Sequence, residues 1–273
     1  MALAIAQTSR MIVDNDWAGD PDGLVALAHH VLSPSDRVIG VTSSLLNPMF
    51  GPADGTAERG AVLARDLLAM LGQPDVAVRA GADDPVTDTA RETPAARLIA
   101  DAAVTADEPL TVVCGGPLTN VADAIRLDAR VASRIRLLWV GGTLDDSFEY
   151  NRDTDPQAAA LVRATAGLEV VRFPAETYRL LAISVAETEE RLTGAGSVGR
   201  WLWERYVQLP LPDGVAIDPV WPLGDSAPLA ATALTHTRAR FERRDGESVC
   251  VDLDERLIIE DLFARLRLFA RGR

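Results

Sequence analysis

No lysine occurs anywhere in the 273-residue chain; all 27 basic residues are arginine. Without lysine, no Schiff base can form to a carbonyl substrate or to pyridoxal phosphate, and a phosphate-binding loop lacks its usual lysine. Histidine is nearly as scarce, at three residues, which leaves little room for a multi-histidine metal site or a histidine relay. The two cysteines, Cys114 and Cys250, stand far apart in apolar runs without metal-site spacing, so buried free thiols are expected. Nowhere do the roughly eighteen apolar residues of a membrane helix run together. Met1 to Arg10 shows no basic start followed by a long apolar stretch, so no signal peptide is expected. The net charge of −13 argues against nucleic acid and anionic lipid as partners. A soluble, reduced, cytoplasmic protein is the expectation.

What the chain does have is a regular alternation. Short apolar runs at Met11–Val13, Val38–Thr42, Val76–Val78, Leu110–Cys114, Arg136–Val140 and Val170–Phe173 read as buried strands. Helical spacing fills the intervals: from Leu24 to Leu32, from Glu58 to Leu71, and after Thr93-Pro94, Thr119 and Asp155-Pro156. Thr93 and Asp155 are capping residue types, each followed by a proline suited to the first helical position. This predicts an α/β fold with a mostly parallel central sheet flanked by helices. From Glu187 the chain is predicted to be chiefly helical, with helices over 187–192, 197–207 and 226–235. A strand at Val249–Val251 and a helix from Glu255 to Phe269 follow. No Gly-, Ser- or Pro-rich linker interrupts the chain, so residues 1–273 are expected to form one domain. Asn47–Gly55 and Leu209–Pro222, rich in proline and glycine, are the expected mobile lids.

Ligands of open parallel sheets bind at the strands' carboxyl ends. After the first strand stands Asp14-Asn15-Asp16-Trp17-Ala18-Gly19-Asp20-Pro21-Asp22, with four aspartates. Asn47 follows the second strand, Gly115-Gly116-Pro117-Leu118-Thr119-Asn120 follows Leu110–Cys114, and Gly141-Gly142 follows Val140, with Glu149 and Asn151 beyond. Four carboxylates at one strand end repel one another unless something compensates, and a hard cation such as Ca²⁺, which takes about six to eight oxygen ligands, is the natural compensation. Capping of the next helix by Asp20 or Asp22 is the plainer alternative for either residue alone. An EF-hand is excluded, since the loop lacks a terminal glutamate and lies between strand and helix.

These residues resemble the inosine-uridine nucleoside hydrolases. Asp14-Asn15-Asp16 through Asp20-Pro21-Asp22 is similar to that family's aspartate-rich N-terminal motif. Asn47, the Gly115–Asn120 turn, Val140-Gly141-Gly142, Glu149-Tyr150-Asn151 with Asp155-Pro156, and Asp225 follow in the family's order. The resemblance implies a nucleoside-hydrolase-like fold, a tightly bound Ca²⁺ and hydrolysis of a ribonucleoside's N-glycosidic bond. By position, the metal ligands would be Asp16, Asp20 or Asp22, Asp225 and the carbonyl of Gly115. Asp16 would be the base that takes a proton from water, with Asn151 as a further catalytic residue. Asp20, Asn47, Glu149, Asn151 and Asp225 would contact the ribosyl substrate. A homodimer or homotetramer is implied as well.

The chain departs from the family pattern in three places. Pro21 separates two aspartates that the family usually has adjacent, so both Asp20 and Asp22 stay as candidates. Gly224 stands where many members carry the histidine that protonates the departing base. The stretch from Gly142 to Glu149 is short and lacks a second asparagine. Tyr178 and Arg179 are candidates for the leaving-group role. His29 and His30 are expected to face solvent, opposite the apolar stripe of their helix, and His236 to cap a helix end. Trp17 and Trp221 either stack on a base or fill core. A non-catalytic module that binds a metal and a ribosyl ligand is the alternative function. Phosphoryl transfer on a haloacid-dehalogenase-like scaffold, which also begins with Asp-x-Asp, is set aside because that scaffold needs a later lysine.

Overall fold

The computed structural model describes residues 4–6, 9–50, 54–209, 211, 216–235 and 238–272. β1 (Ser9–Asn15) leads through α1 (Pro21–Leu32) to β2 (Asp36–Ser43), and α2 (Thr56–Met70) to β3 (Ala77–Ala80). α3 (Pro94–Thr105), β4 (Leu110–Cys114), α4 (Thr119–Leu127) and β5 (Ile135–Val140) continue the alternation. After α5 (Tyr150–Thr154) and α6 (Pro156–Arg163) comes β6 (Glu169–Phe173), then the short α7 (Ala175–Tyr178). β7 (Ala182–Ser184), α8 (Val185–Thr193), α9 (Gly196–Val207) and β8 (Val220–Pro222) precede a 3₁₀ helix over Gly224–Ala231. β9 (Arg240–Arg244), β10 (Glu247–Asp252) and α10 (Glu255–Ala270) complete the described chain.

The main sheet has the order β3-β2-β1-β4-β5-β6-β10-β9, parallel throughout except for the β10–β9 pair. Successive side chains along a strand point to opposite faces. Met11 and Val13, Val113, Leu138 and Val140, and Val171 and Phe173 pack into a core with α1, α2, α9 and α10. Their neighbours Ile12, Val112 and Cys114, Leu137 and Trp139, and Val170 pack on the other side with α3, α4 and α6. Both faces are covered, which is why the strands read as unbroken apolar runs rather than alternating ones. The strand order reverses between β1 and β4, whose adjacent carboxyl ends open a crevice.

The predicted strands and the helix starts at Thr93 and Asp155 are in place, each cap accepting a backbone N–H, from Ala96 at 3.1 Å and Ala158 at 3.0 Å. Cys114 and Cys250 are free and buried. Three expectations need correction. Residues 226–235 are not an α-helix: Pro228 sits inside the segment, and the chain takes the tighter 3₁₀ form over Gly224–Ala231 instead. Val220–Pro222, expected within a loop, pairs as β8 with β7. The predicted strand at Val249–Val251 lies within β10, which pairs with β6 and carries the sheet on to β9. His29 and His30 do not face solvent; both are fully buried, because the 3₁₀ helix and α10 pack against α1. The expected lids fall partly outside the described residues, as does His236.

His29 joins the layers. Its Nδ1 lies 3.3 Å from the Ser226 hydroxyl and its Nε2 3.1 Å from the Asp261 carboxylate, so a neutral ring with the proton on Nε2 satisfies both partners. Burial lowers its pKa from 6.5 to about 4, against the opposing pull of Asp261 and with smaller contributions from His30 and Arg265. Between these two pH values the unfolded chain binds a proton that the folded one excludes. The stability that His29 contributes is therefore complete above pH 6.5 and is lost as pH falls towards 4. The loss is at most about 1.4 kcal/mol per pH unit. Denaturant unfolding of the parent and of His29→Gln should show a stability gap that narrows over this window; a gap independent of pH contradicts the buried neutral imidazole.

Candidate active site

The crevice between β1 and β4 holds a cavity of about 450 Å³. Asp20, Asp22 and Asp225 meet on its wall, each offering a carboxylate oxygen within 4.8 Å of the others. Asp20 occupies the N-cap position of α1 yet makes no side-chain cap hydrogen bond there. Capping alone therefore does not account for its carboxylate. Pro21 at the first helical position needs no N–H acceptor and starts the helix with Asp22 in its first turn. The inserted proline thus leaves both Asp20 and Asp22 at the cluster.

The third member comes from far along the chain. Asp225 rides on the 3₁₀ helix beneath α1, and its Oδ2 accepts a 2.6 Å hydrogen bond from the Asn15 amide. Trp221 donates its indole N–H to Asp22 Oδ1 at 3.0 Å. All three carboxyls are held well above the usual carboxylate range, first by burial and next by one another's charge. No arginine is among the leading influences on any of them.

Asp16 lies one layer deeper. It is fully buried, its Oδ2 accepts the Tyr150 hydroxyl at 2.9 Å, and its Oδ1 is buried without a partner among the described residues. Burial pushes it up to about 7, against the pull of the Tyr150 bond, with Asp22 and Asp14 raising it further. Gly115 brings bare backbone to the centre: a Cβ there would lie 2.5 Å from both Asn15 Nδ2 and Asp225 Oδ2. Its carbonyl accepts the Asn151 amide at 2.7 Å, and that same amide donates to the Val140 carbonyl at 2.9 Å, tying the ends of β4 and β5 together. The Glu149 carboxylate caps α5 and is enclosed by donors, among them the Gly142 N–H at 2.6 Å and the Tyr178 hydroxyl at 3.1 Å.

The structure thus brings Asp20, Asp22, Gly115, Glu149, Asn151 and Asp225 to one cavity wall, with Asp16 behind it. Asn47 is not among the lining residues; its amide donates to Thr154 at 2.7 Å and its Oδ1 accepts the Met49 N–H at 2.9 Å. Trp17 fills core, its indole bonded to the Thr42 carbonyl at 2.9 Å, whereas Trp221 lines the cavity. Tyr178 and Arg179 line it as well. Asn15 and Tyr150 carry contacts that the sequence reading assigned to neither. Asn15's place between two aspartates at a strand end was the available signal; Tyr150, inside Glu149-Tyr150-Asn151, offered only its hydroxyl.

The sequence pattern of the inosine-uridine preferring nucleoside hydrolases matches residues 11–261. A pyrimidine-specific ribonucleoside hydrolase of Escherichia coli O1:K1 / APEC is 34% identical over 94 residues, which are 32% of this chain and 30% of that relative. The chain thus matches only about a third of that relative's length. A purine-preferring ribonucleoside hydrolase from Gardnerella vaginalis superposes with a TM-score of 0.73 at 18% identity, covering 97% of this chain and 100% of the other. An inosine-guanosine nucleoside hydrolase gives 0.75 at 17% identity, over 95% and 99% of the two chains. At these identities the superpositions carry the fold alone.

The cradle at Gly115 is testable without any ligand. Gly115→Ala forces a methyl group between Asn15 and Asp225, so the urea midpoint should fall by the equivalent of about 1–3 kcal/mol, the usual cost of overpacking a filled site. An unchanged midpoint contradicts the close approach of these three residues.

Proposed function

The chain belongs to the inosine-uridine preferring nucleoside hydrolase family, and from that premise we propose that it hydrolyses the N-glycosidic bond of ribonucleosides, giving ribose and free base with the help of Ca²⁺. One observation carries this reading: Asp20, Asp22 and Asp225 converge on a single point of the cavity wall. Three hard oxygen donors, with a glycine carbonyl beside them, suit calcium better than a soft metal. Asp16, Asp20, Asp22, Asp225 and the Gly115 carbonyl are the residues that would hold it. When bound, the cation supplies positive charge that offsets these carboxylates and makes a nearby water more acidic.

The protein's own residues supply the rest of the chemistry. Tyr150 fixes one oxygen of Asp16 and leaves Oδ1 to take a proton from the attacking water. Glu149, held by surrounding donors, Asp20 and Asn151 face the cavity where they can orient ribose hydroxyls. Their negative potential also favours the positive charge that develops on the sugar ring as the bond breaks. Asn47 takes part in this grip only if its amide releases Thr154. The proposal extends to a cytoplasmic role in purine or pyrimidine salvage and to a homodimer or homotetramer, both on the family likeness alone.

Asp16→Asn keeps the shape of the side chain and removes the base. Ribose release from a nucleoside panel with added Ca²⁺ should fall by about 10²–10⁴-fold, the usual contribution of general base catalysis, while thermal unfolding stays cooperative. Undiminished turnover rejects the assignment. A parent protein that nucleosides stabilise against heat, yet which releases no ribose, points to the non-catalytic binding module instead.

A further inference from the structure

When a C1′–N bond breaks, its electron pair stays on the base, and that charge must meet either a proton or a cation. No histidine lines the cavity among the described residues; His29 and His30 are turned to Ser226, Asp261 and Asp36 instead. Tyr178 fills the space that a side chain at 224 would enter, since a Cβ there would lie 2.8 Å from Tyr178 Cδ2. Its hydroxyl is already donated to Glu149, and burial together with that carboxylate's charge raises the phenol above its ordinary pKa. Tyr178 is thus a wall and a prop for Glu149 rather than an acid.

That leaves one group. Among the described lining residues Arg179 is the single cationic side chain, in a cavity that also presents Asp20, Asp22, Glu149, Asp218 and Asp225. It is exposed, and no carboxylate of the described residues forms an ion pair with it. Its guanidinium carbon stands 6.0 Å from the centre of the Tyr178 ring, the outer limit of a cation–π contact. Ile217, Val220 and Trp221 give the same cavity an apolar flank suited to a flat base.

We propose that Arg179 is a catalytic residue that stabilises the departing base as an anion, by charge and paired N–H donors, where no histidine or free tyrosine hydroxyl among the described lining residues stands ready to protonate it. This rests on the hydrolase reading above. As the C1′–N bond breaks, its electron pair stays on the base and meets the guanidinium. The water oxygen bonds to C1′, and the proton it loses passes to Asp16. The released base anion then takes a proton from solvent, and Asp16 returns its own to solvent, so nucleoside and water become ribose and neutral base. A planar guanidinium suits this task, because its fork can meet a ring nitrogen and an adjacent exocyclic oxygen together.

The test compares leaving groups. Parent, Arg179→Gln and Arg179→Lys are assayed with Ca²⁺ on inosine, uridine, 5-fluorouridine and 4-nitrophenyl β-D-riboside, whose nitrophenolate departs unaided. Arg179→Gln should lower kcat/KM by about 10²-fold on inosine and uridine, the scale of removing one preorganised charge-stabilising donor. The loss should be smaller on 5-fluorouridine, whose base is a more stable anion, and slight on the nitrophenyl riboside. Arg179→Lys, which keeps the charge without the paired donors, should recover only part of it. An equal loss on all substrates, or none on any, overturns the role of Arg179 while leaving the hydrolase reading intact. A parent that cleaves the nitrophenyl riboside but no nucleoside overturns it too. A parent inert on all four overturns the hydrolase reading and this inference with it.

Discussion

Like charges brought together at the end of a parallel sheet are the constraint around which this molecule is arranged. Asp20, Asp22 and Asp225 meet at one point, and Asp16 stands close enough to raise Asp20 and Asp225 further. Left alone, such a cluster would spread apart or take up protons. The surrounding residues hold it in place: Asn15 donates to Asp225, Trp221 donates to Asp22, and Tyr150 donates to Asp16. Each offers a neutral donor rather than a cation, so the negative charge is positioned without being cancelled. A carboxyl cluster held together by neutral donors suits a cation or a developing positive charge, which is what the proposed loss of a base from a glycosyl group requires.

The architecture follows from the need to hold residues of such different origin together. Asn15 ends β1 with Asp16 next to it, Gly115 follows β4, and Glu149 caps α5, which carries Asn151 beyond β5. Asp225 arrives on a 3₁₀ segment whose own position depends on α1 and α10, through His29 between Ser226 and Asp261. The second half of the cavity comes from elsewhere, with Tyr178 and Arg179 after β6 and Trp221 on β8. One half is rich in carboxylates; the other is largely aromatic and apolar and carries Arg179 together with Asp218. That division suits the proposed substrate, with a hydroxylated sugar at one end and a flat base at the other.

How much of this could be read from the sequence depended on how local the cause was. The runs at Leu110–Cys114 and Val170–Phe173 and the caps at Thr93 and Asp155 act within a few residues, and the structure has them where their chemistry puts them. The density of aspartates after the first strand points to the candidate site on sequence alone. His29 and His30 misled because periodicity within α1 cannot tell that its second side is also covered by other elements. Residues 226–235 misled because apolar and small residues suggested a helix and the effect of Pro228 outweighed them. β7 and β8 are three residues each and stabilise one another only as a pair. The link between Gly224 and Tyr178 left no signal at all, since a missing side chain reveals its purpose only when the ring that fills its space is seen.

The claim on which the rest depends is that the carboxylates at this sheet edge form a single site for one hard cation. Isothermal titration calorimetry of Ca²⁺ into protein freed of metal by a chelator tests it most directly, with Asp225→Asn alongside. One saturable site per chain in the parent, absent or greatly weakened in the variant, is the predicted result. No binding in a cooperatively folded parent, or undiminished binding in Asp225→Asn, would contradict it.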